Sequence, residues 1–435
     1  MPPEILTPDE AAARFRPRDA LAVGVATAQP PALLEALGRR DDWEDLLFLS
    51  SLLIAPFPLV TRKGVRTRSG FHGPAERAFE AAGHDVEFVP SDFRRYGPLA
   101  RRFAPRVLAT AAAPGLRPGE VSLSLHAGGF VDELRRAGRD PERLLVVEVN
   151  AQLPSTHGVR PDHPHAIPLD EIDVLIEVDR APFTIASSEP TDVERRIAAH
   201  ALGYVEDGAV LQTGIGGVPD LVAQALAKGD RGPFGIHTEM FTTGLMHLHA
   251  AGKIDDAHGL LGPFSVATFA AGTRELYAWL HDNPAVRFLP VEVTNSPEVI
   301  ARNERMISIN GALAVDLAGQ VAADTIGARQ FSGVGGHEDF TSGASMSPGG
   351  HSLVCLPSTA TVDGELVSRI VDRFAAGTTV TSPRHQVDVV ITEWGAAELA
   401  GKTVRERADA LAAIAHPQFR DGLREASPYR RPPRA

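Results

Sequence analysis

The chain has 435 residues, 43% hydrophobic and 23% charged, the balance of a globular protein too long for one ordinary core. A formal net charge of −12 argues against a nucleic-acid binder, whose contact face is basic, but leaves room for an anionic ligand at a local site. The single cysteine, Cys355, rules out an intrachain disulfide or a cysteine metal cluster.

No apolar run reaches the roughly 18 residues of a membrane helix, and the opening MPPEILTPDEAAARF is too polar for a secretory signal, so the expectation is a cytoplasmic protein without a membrane partner. In chain order, DALAVGVA predicts a strand, PPALLEALGRR a helix with proline at its start, and LLFLSSLL and DVEFVP further strands. LLVVEVN (144–150) and IDVLIEV (172–178) read as strands, and the Pro- and His-rich QLPSTHGVRPDHPHAIPLDE between them as a surface loop. TDVERRIAAHALGYVEDG (191–208) predicts a helix capped by Thr191 that opens a second unit. AVLQTGIGGVPDLVAQALAKG then runs strand, glycine turn, helix, and SVATFAAGTRELYAWLHDN repeats that pattern. HSLVCLPSTAT and HQVDVVITEWG supply later strands, VRERADALAAIAHPQFRDGLREA a last long helix, and SPYRRPPRA a frayed tail. Alternating strands and helices place the chain in the α/β class. Two domains are expected, 1–190 and 191–435.

Three segments carry chemistry. In LQTGIGGVPDLV, Gly214, Gly216 and Gly217 follow a strand and open a helix, where backbone amides favour anions; the missing third glycine and ribose-binding acid exclude the dinucleotide fingerprint. FSGVGGHEDF is a second cluster, with Gly333, Gly335 and Gly336 ahead of Glu338 and Asp339. Either stretch reads as a plain turn or as a ligand cradle. In GIHTEMFTTGLM, Glu239 follows an apolar run where a strand should end, and is either a solvated residue or a working carboxylate. His237, His247 and His249 lack the H-E-x-x-H spacing of a metal site and G-x-S-x-G is absent, so neither a metal centre nor a serine hydrolase is favoured. Two glycine turns and one carboxylate suggest a single site. A carboxylate can attack an activated carbonyl to form an anhydride, provided a large substrate handle such as coenzyme A supplies binding energy and backbone donors take the oxyanion.

The segments VVEVNAQLPSTHG, DGAVLQTGIGGVPD, GIHTEMFTTGL, GTRELYAWLHDNP, MISINGALAVDLAGQVAADTIGARQFSGVGGHEDF, LPSTAT and VVITEWGAAELAGKTVRERADALAAIAHPQFR, in this order, resemble the acetyl-CoA hydrolase/transferase family of class I CoA-transferases, the group containing 4-hydroxybutyrate CoA-transferase. They occupy most of 144–420; ILTPDEAAARF and PPALLEAL resemble it more loosely. The resemblance implies two open α/β domains with the active site in the cleft between them, a homodimer, and no permanently bound cofactor or metal, with coenzyme A and acyl-CoA as substrates. It places the catalytic glutamate on Glu239, passing through an acyl-glutamyl anhydride and a glutamyl-CoA thioester. It places the CoA-contacting turn on Gly214, Ile215, Gly216, Gly217 and Val218, and a GxGG turn on Gly333, Gly335 and Gly336. The strand from Asn310 to Asp316 would be a third wall, with a backbone contact at Leu313.

The sequence departs from the family at His337, where relatives carry glutamine, and in VGVATAQPP and AAAPGLRPGEV of the N-terminal third, which bear on the acyl pocket. Transfer of CoA between short-chain carboxylic acids of the acetate, butyrate or 4-hydroxybutyrate type is the leading reading. An acyl-CoA hydrolase using the same glutamate and a non-catalytic CoA-binding protein are the alternatives.

Overall fold

The structure, a computed structural model, describes residues 2–126, 129–186, 189–257 and 259–429. The chain divides into two compact units: Met1–Ala186 with Glu239–Phe241 and Phe264–Thr294, and Ser187–Thr238 with Thr242–Pro263 and Asn295–Ala435. Glu239, expected in the C-terminal domain, therefore packs with the first unit. The backbone bonds responsible are described with the site.

The first unit is built on β1 (Glu4–Ile5), β2 (Arg18–Val23), β3 (Asp45–Ser50), β4 (Val65–Ser69), β5 (Val86–Phe88), β6 (Val107–Pro114), β7 (Glu120–Ser122), β8 (Leu144–Asn150), β9 (Ala166–Pro168) and β10 (Val174–Val178). The parallel path runs β1-β10-β8-β6-β2-β3-β4-β5, with β7 antiparallel to both β6 and β9. Helices α1 (Pro8–Ala12), α2 (Pro31–Arg39), α3 (Pro74–Ala81), α4 (Tyr96–Arg102) and α5 (Val131–Ala137) connect the strands. Alternate strand residues enter two different cores. Leu21, Val23, Phe48, Val107 and Val146 pack on one face, and Ala22, Leu49, Leu108, Leu145 and Val147 on the other. A parallel sheet covered on both faces needs such unbroken apolar runs. The strand order reverses between β2 and β6, which makes the carboxyl ends of these two strands the topological switch point.

The structure departs from the sequence expectation at several elements. VLATAAAP, absent from the predicted strands, is the central strand β6. The loop expected over 152–171 contains β9, whose Ile167 is fully buried, because pairing with β7 draws it inward. Helix α6 (Asp192–Ala201) stops seven residues before the predicted end at 208, passing into a short 3-10 turn at Leu202–Tyr204 that contains Gly203.

In the second unit, β11 (Val210–Thr213), β12 (Gly235–Ile236), β13 (Met306–Gly311), β14 (His351–Cys355), β15 (Val389–Thr392) and β16 (Gly395–Glu398) form a sheet of order β12-β11-β13-β14-β15-β16, parallel except at β16. After α6 come α7 (Gly217–Lys228), α8 (Thr243–Ala250), α9 (His337–Ser345), α10 (Val404–Ala413) and α11 (Pro417–Ala426). Thr191 caps α6 as expected, its hydroxyl accepting from the Glu194 amide at 3.2 Å while the Glu194 carboxylate accepts from the Thr191 amide at 2.7 Å. The single last helix predicted over 404–426 is two helices. Pro417 has no amide to continue the ladder and starts α11 instead. Of the expected frayed tail, 430–435 lies outside the described residues.

Candidate functional site

Because β11, β12, β13 and β14 are parallel, the segments leaving their carboxyl ends share one edge of the second unit's sheet. The turn 214–217 leaves β11 there, and Leu313 follows β13. Helix α9 precedes β14 by five residues and runs back against it, so its start, with Gly335 and Gly336, belongs to the same edge. The structure thus brings Gly214, Ile215, Gly216, Gly217, Val218, Leu313, Gly335 and Gly336 to one side of one sheet.

Several helices of both units start without a side-chain cap, and the two at this edge are among them. Thr191 and Thr403 close capping boxes on α6 and α10, whereas α7 and α9 begin at Gly216 and Gly336 with no side-chain cap. An uncapped helix start presents amide donors and the positive end of the helix dipole. Gly216 has φ +125°, a conformation closed to side chains, and Gly335 has φ +55°. Gly214 needs neither that freedom nor internal space, since a Cβ there would meet nothing within 4 Å. Ile215 is 55% exposed beside it. Leu313 already donates its amide to the Ala322 carbonyl at 2.9 Å, which leaves its carbonyl as the group for any backbone contact. Across β11 and β13, the Gln212 and Asn310 amides face each other at 3.3–3.4 Å.

His337 is buried at the first turn of α9, and burial pushes its imidazole down to about 4 against the pull of nearby Asp324. It is neutral at pH 7, and its Nε2 has no hydrogen-bond partner among the described residues. A neutral side chain here avoids a buried cation beside the positive end of a helix.

Glu239 is placed by its backbone. The Thr238 hydroxyl donates to the Thr213 carbonyl at 3.3 Å, and the chain then leaves the second unit. In the first unit the Glu239 carbonyl accepts from the Thr268 amide at 3.0 Å and the Phe269 amide at 3.1 Å. Met240–Phe241 pairs with Phe269–Ala270, the Ala270 amide donates to the Leu125 carbonyl at 2.7 Å, and the Thr27 hydroxyl donates to the Ala270 carbonyl at 3.3 Å. Thr27 follows β2, so these bonds tie the half-buried Glu239 to the carboxyl-end side of the first unit's sheet, at its switch point. Glu239 therefore lies between two short strands rather than at the end of one.

A small crevice of about 30 Å³ opens at the same switch point, lined by Thr27, Gln29, Leu125, Glu148 and Asn150. Gln29 is consumed internally: its amide donates to Ser51 and accepts from Ile54. Burial raises the Glu148 carboxyl to about 7, although it accepts the Leu33 amide of α2 at 2.9 Å. Sequence reasoning singled out neither Thr27 nor Glu148. The VVEVN run carries Glu148 on a strand buried on both faces, and a charge in such a run was the available signal.

Cys355 is buried and its thiol is pushed up to about 12, which removes it as a nucleophile. Among the described residues no group of three His, Cys, Asp or Glu is arranged for a metal ion, and no helix is long and apolar enough to cross a membrane.

A family model described as the acetyl-CoA hydrolase/transferase C-terminal domain matches residues 272–427. Over 429 residues the chain is 34% identical to the succinyl-CoA:cyclohexane-1-carboxylate CoA transferase of Geobacter metallireducens, covering 98% of this chain and 95% of that one. It is 40% identical over 296 residues to the 4-hydroxybutyrate coenzyme A transferase of Clostridium kluyveri, covering 68% and 67% of the two chains. The crystal structure of RipA from Yersinia pestis superposes with a TM-score of 0.86 at 32% identity, covering 97% of this chain and 96% of that one.

Proposed function

Since the chain belongs to the acetyl-CoA hydrolase/transferase family of CoA-transferases, we propose that it moves coenzyme A between short-chain carboxylic acids through a thioester on Glu239. One observation carries the reading. Glu239 is the half-buried carboxylate whose backbone is pinned at the switch point of a parallel sheet.

The steps follow from the carboxylate's chemistry. The Glu239 oxygen attacks the acyl-CoA carbonyl, the C–S bond breaks, and an acyl-glutamyl anhydride forms as CoA thiolate leaves. The thiolate then attacks the glutamyl carbonyl, releasing the first acid as its carboxylate and leaving glutamyl-CoA. A second carboxylate attacks that thioester, expelling the thiolate and giving a new anhydride. The thiolate attacks its acyl carbon, so the new acyl-CoA departs and Glu239 is regenerated. No net proton is consumed, and the thioester is conserved.

The uncapped starts of α7 and α9 with Gly214, Gly216, Gly335 and Gly336 take the anionic parts of CoA or the developing oxyanion through backbone amides. Ile215 and Val218 offer apolar contact, and the Leu313 carbonyl accepts a hydrogen bond. The crevice at Thr27, Leu125 and Asn150 takes the acyl group.

The test supplies acetyl-CoA with and without a panel of short-chain and hydroxy acids, following acyl-CoA species, free CoA and the mass of the Glu239 peptide. New acyl-CoA only in the presence of an acid, absent in Glu239→Gln, supports transfer. Free CoA accumulating without an acid would identify a hydrolase. Neither product, with an unmodified peptide, would leave a non-catalytic CoA binder.

A further inference from the structure

The first unit holds a second cavity, of about 450 Å³, whose lining includes none of the residues proposed for CoA exchange. Its charged lining consists of Arg117, Arg160 and Arg287 against Glu120 and Asp282, with His157. The two carboxylates are already matched. Arg160 reaches both oxygens of Glu120 at 2.6 and 2.7 Å, and His157 Nε2 lies 2.8 Å from Asp282 Oδ1.

Arg287 has no carboxylate partner among the described residues. It is held by the pairing of Val266 with Arg287 in the two-stranded ribbon Ser265–Ala267/Val286–Phe288, and by a bridge from His157. Its guanidinium lies 5.4 Å from the centre of the Phe264 ring, and its Nη1 is buried without a hydrogen-bond partner among the described residues. Partial burial lowers its basicity, as expected of a cation that has lost some of its hydration. Arg117, exposed on the rim of the same cavity, adds a second guanidinium. A guanidinium with a buried, unpartnered nitrogen beside an aromatic ring in a roomy cavity is the arrangement that a fork of oxyanion oxygens completes. The volume suits a small metabolite rather than a single ion.

We propose that this cavity binds a small metabolite bearing a phosphate or carboxylate group, with Arg287 taking the oxyanion and Arg117 closing on it from the rim. The site stands independently of the reaction assigned to Glu239.

Calorimetric titration of the full chain with inorganic phosphate and, separately, with succinate tests this, ionic strength being held constant with chloride. At least one probe should bind saturably at one site per chain. Arg287→Met should weaken that binding at least tenfold and Arg117→Ala at least threefold. The probe that binds more tightly tells a phosphate site from a carboxylate site. If Arg287→Met does not fold, Arg117→Ala decides, because that side chain is exposed. Binding no stronger than chloride's for both probes, or binding that survives the substitutions unchanged, overturns the assignment.

Discussion

Glu194 and Gly217 are packed so closely that a Cβ on Gly217 would lie 2.3 Å from Glu194 Oε1. The same carboxylate accepts from the Thr191 amide at 2.7 Å and the Thr191 hydroxyl at 2.8 Å, so the capping box of α6 buttresses the turn that opens α7. Thr191→Ala should lower stability by about 1 kcal/mol, the usual cost of a lost N-cap. Gly217→Ala must displace Glu194 and so disturbs that box as well. Urea denaturation of both single variants and the double variant should show non-additivity, with Gly217→Ala costing less once the Thr191 hydroxyl no longer helps hold Glu194. Strict additivity would mean the two contacts are independent.

The neighbouring glycines separate strain from ligand approach. At Gly216, φ +125° makes any side chain unfavourable, and Gly216→Ala should cost roughly 1–3 kcal/mol of stability. At Gly214 nothing obstructs a methyl and φ is ordinary, so Gly214→Ala should leave stability within about 0.5 kcal/mol. If acyl-CoA approaches this turn, Gly214→Ala raises KM for acyl-CoA several-fold with a smaller change in kcat. An unchanged KM would detach the turn from the substrate.

For Glu239 the proposal requires loss of the reacting atom without loss of binding. Glu239→Gln should reduce exchange by about a thousandfold or more while the thermal unfolding midpoint stays near that of the parent. Retention of exchange within tenfold would exclude the thioester route.

The imidazole of His337 sets an acid limit on stability. Its folded value of about 4 lies below the ordinary 6.5. Between those limits the unfolded chain binds a proton that the folded chain refuses, so the contribution present above pH 6.5 is lost as pH falls toward 4. His337→Gln removes this dependence. Relative to the parent, the variant should gain about 2 kcal/mol on going from pH 7 to pH 5. Parallel stability curves for the two proteins would show that His337 titrates normally.

Glu148 acts with the opposite sign. Its folded value of about 7 lies above 4.5, so the folded chain holds a proton that the unfolded chain releases. Its contribution is greatest below pH 4.5 and is lost as pH rises through about 7. Glu148→Gln should therefore gain roughly 2–3 kcal/mol relative to the parent between pH 5 and pH 8, measured by denaturant unfolding. A constant difference across that range would place Glu148 as an ordinary ionised helix-start acceptor.

The α/β class and the local character of the candidate site were both legible in the sequence. LLVVEVN, AVLQTGIGGVPDLVAQALAKG and TDVERR carry a strand, a glycine-to-helix turn and a cap, each within a short stretch of chain where short-range sterics and hydrogen bonding decide the outcome. Other elements were not legible. VLATAAAP reads weakly because four of its eight residues are alanine, which favours helix in isolation; as β6 its seven buried residues are strand only because β2 and β8 flank it. VRTRS is β4 although it carries two arginines, because Val65, Thr67 and Ser69 turn inward while Arg66 and Arg68 find Asp45 and Asp85.

The sequence by itself determined the fold class and marked two glycine turns and one candidate carboxylate. Only the tertiary structure decided that Glu239–Phe241 packs with the first unit, since a two-residue strand has no periodicity of its own and takes its partners from Phe269 and Ala270. Likewise only folding gathers Arg117 and Arg287, 170 positions apart in the chain, around one cavity. Periodicity and capping act within a turn or two of chain, whereas pairing, burial and the desolvation of a charge depend on whatever residues the fold brings alongside.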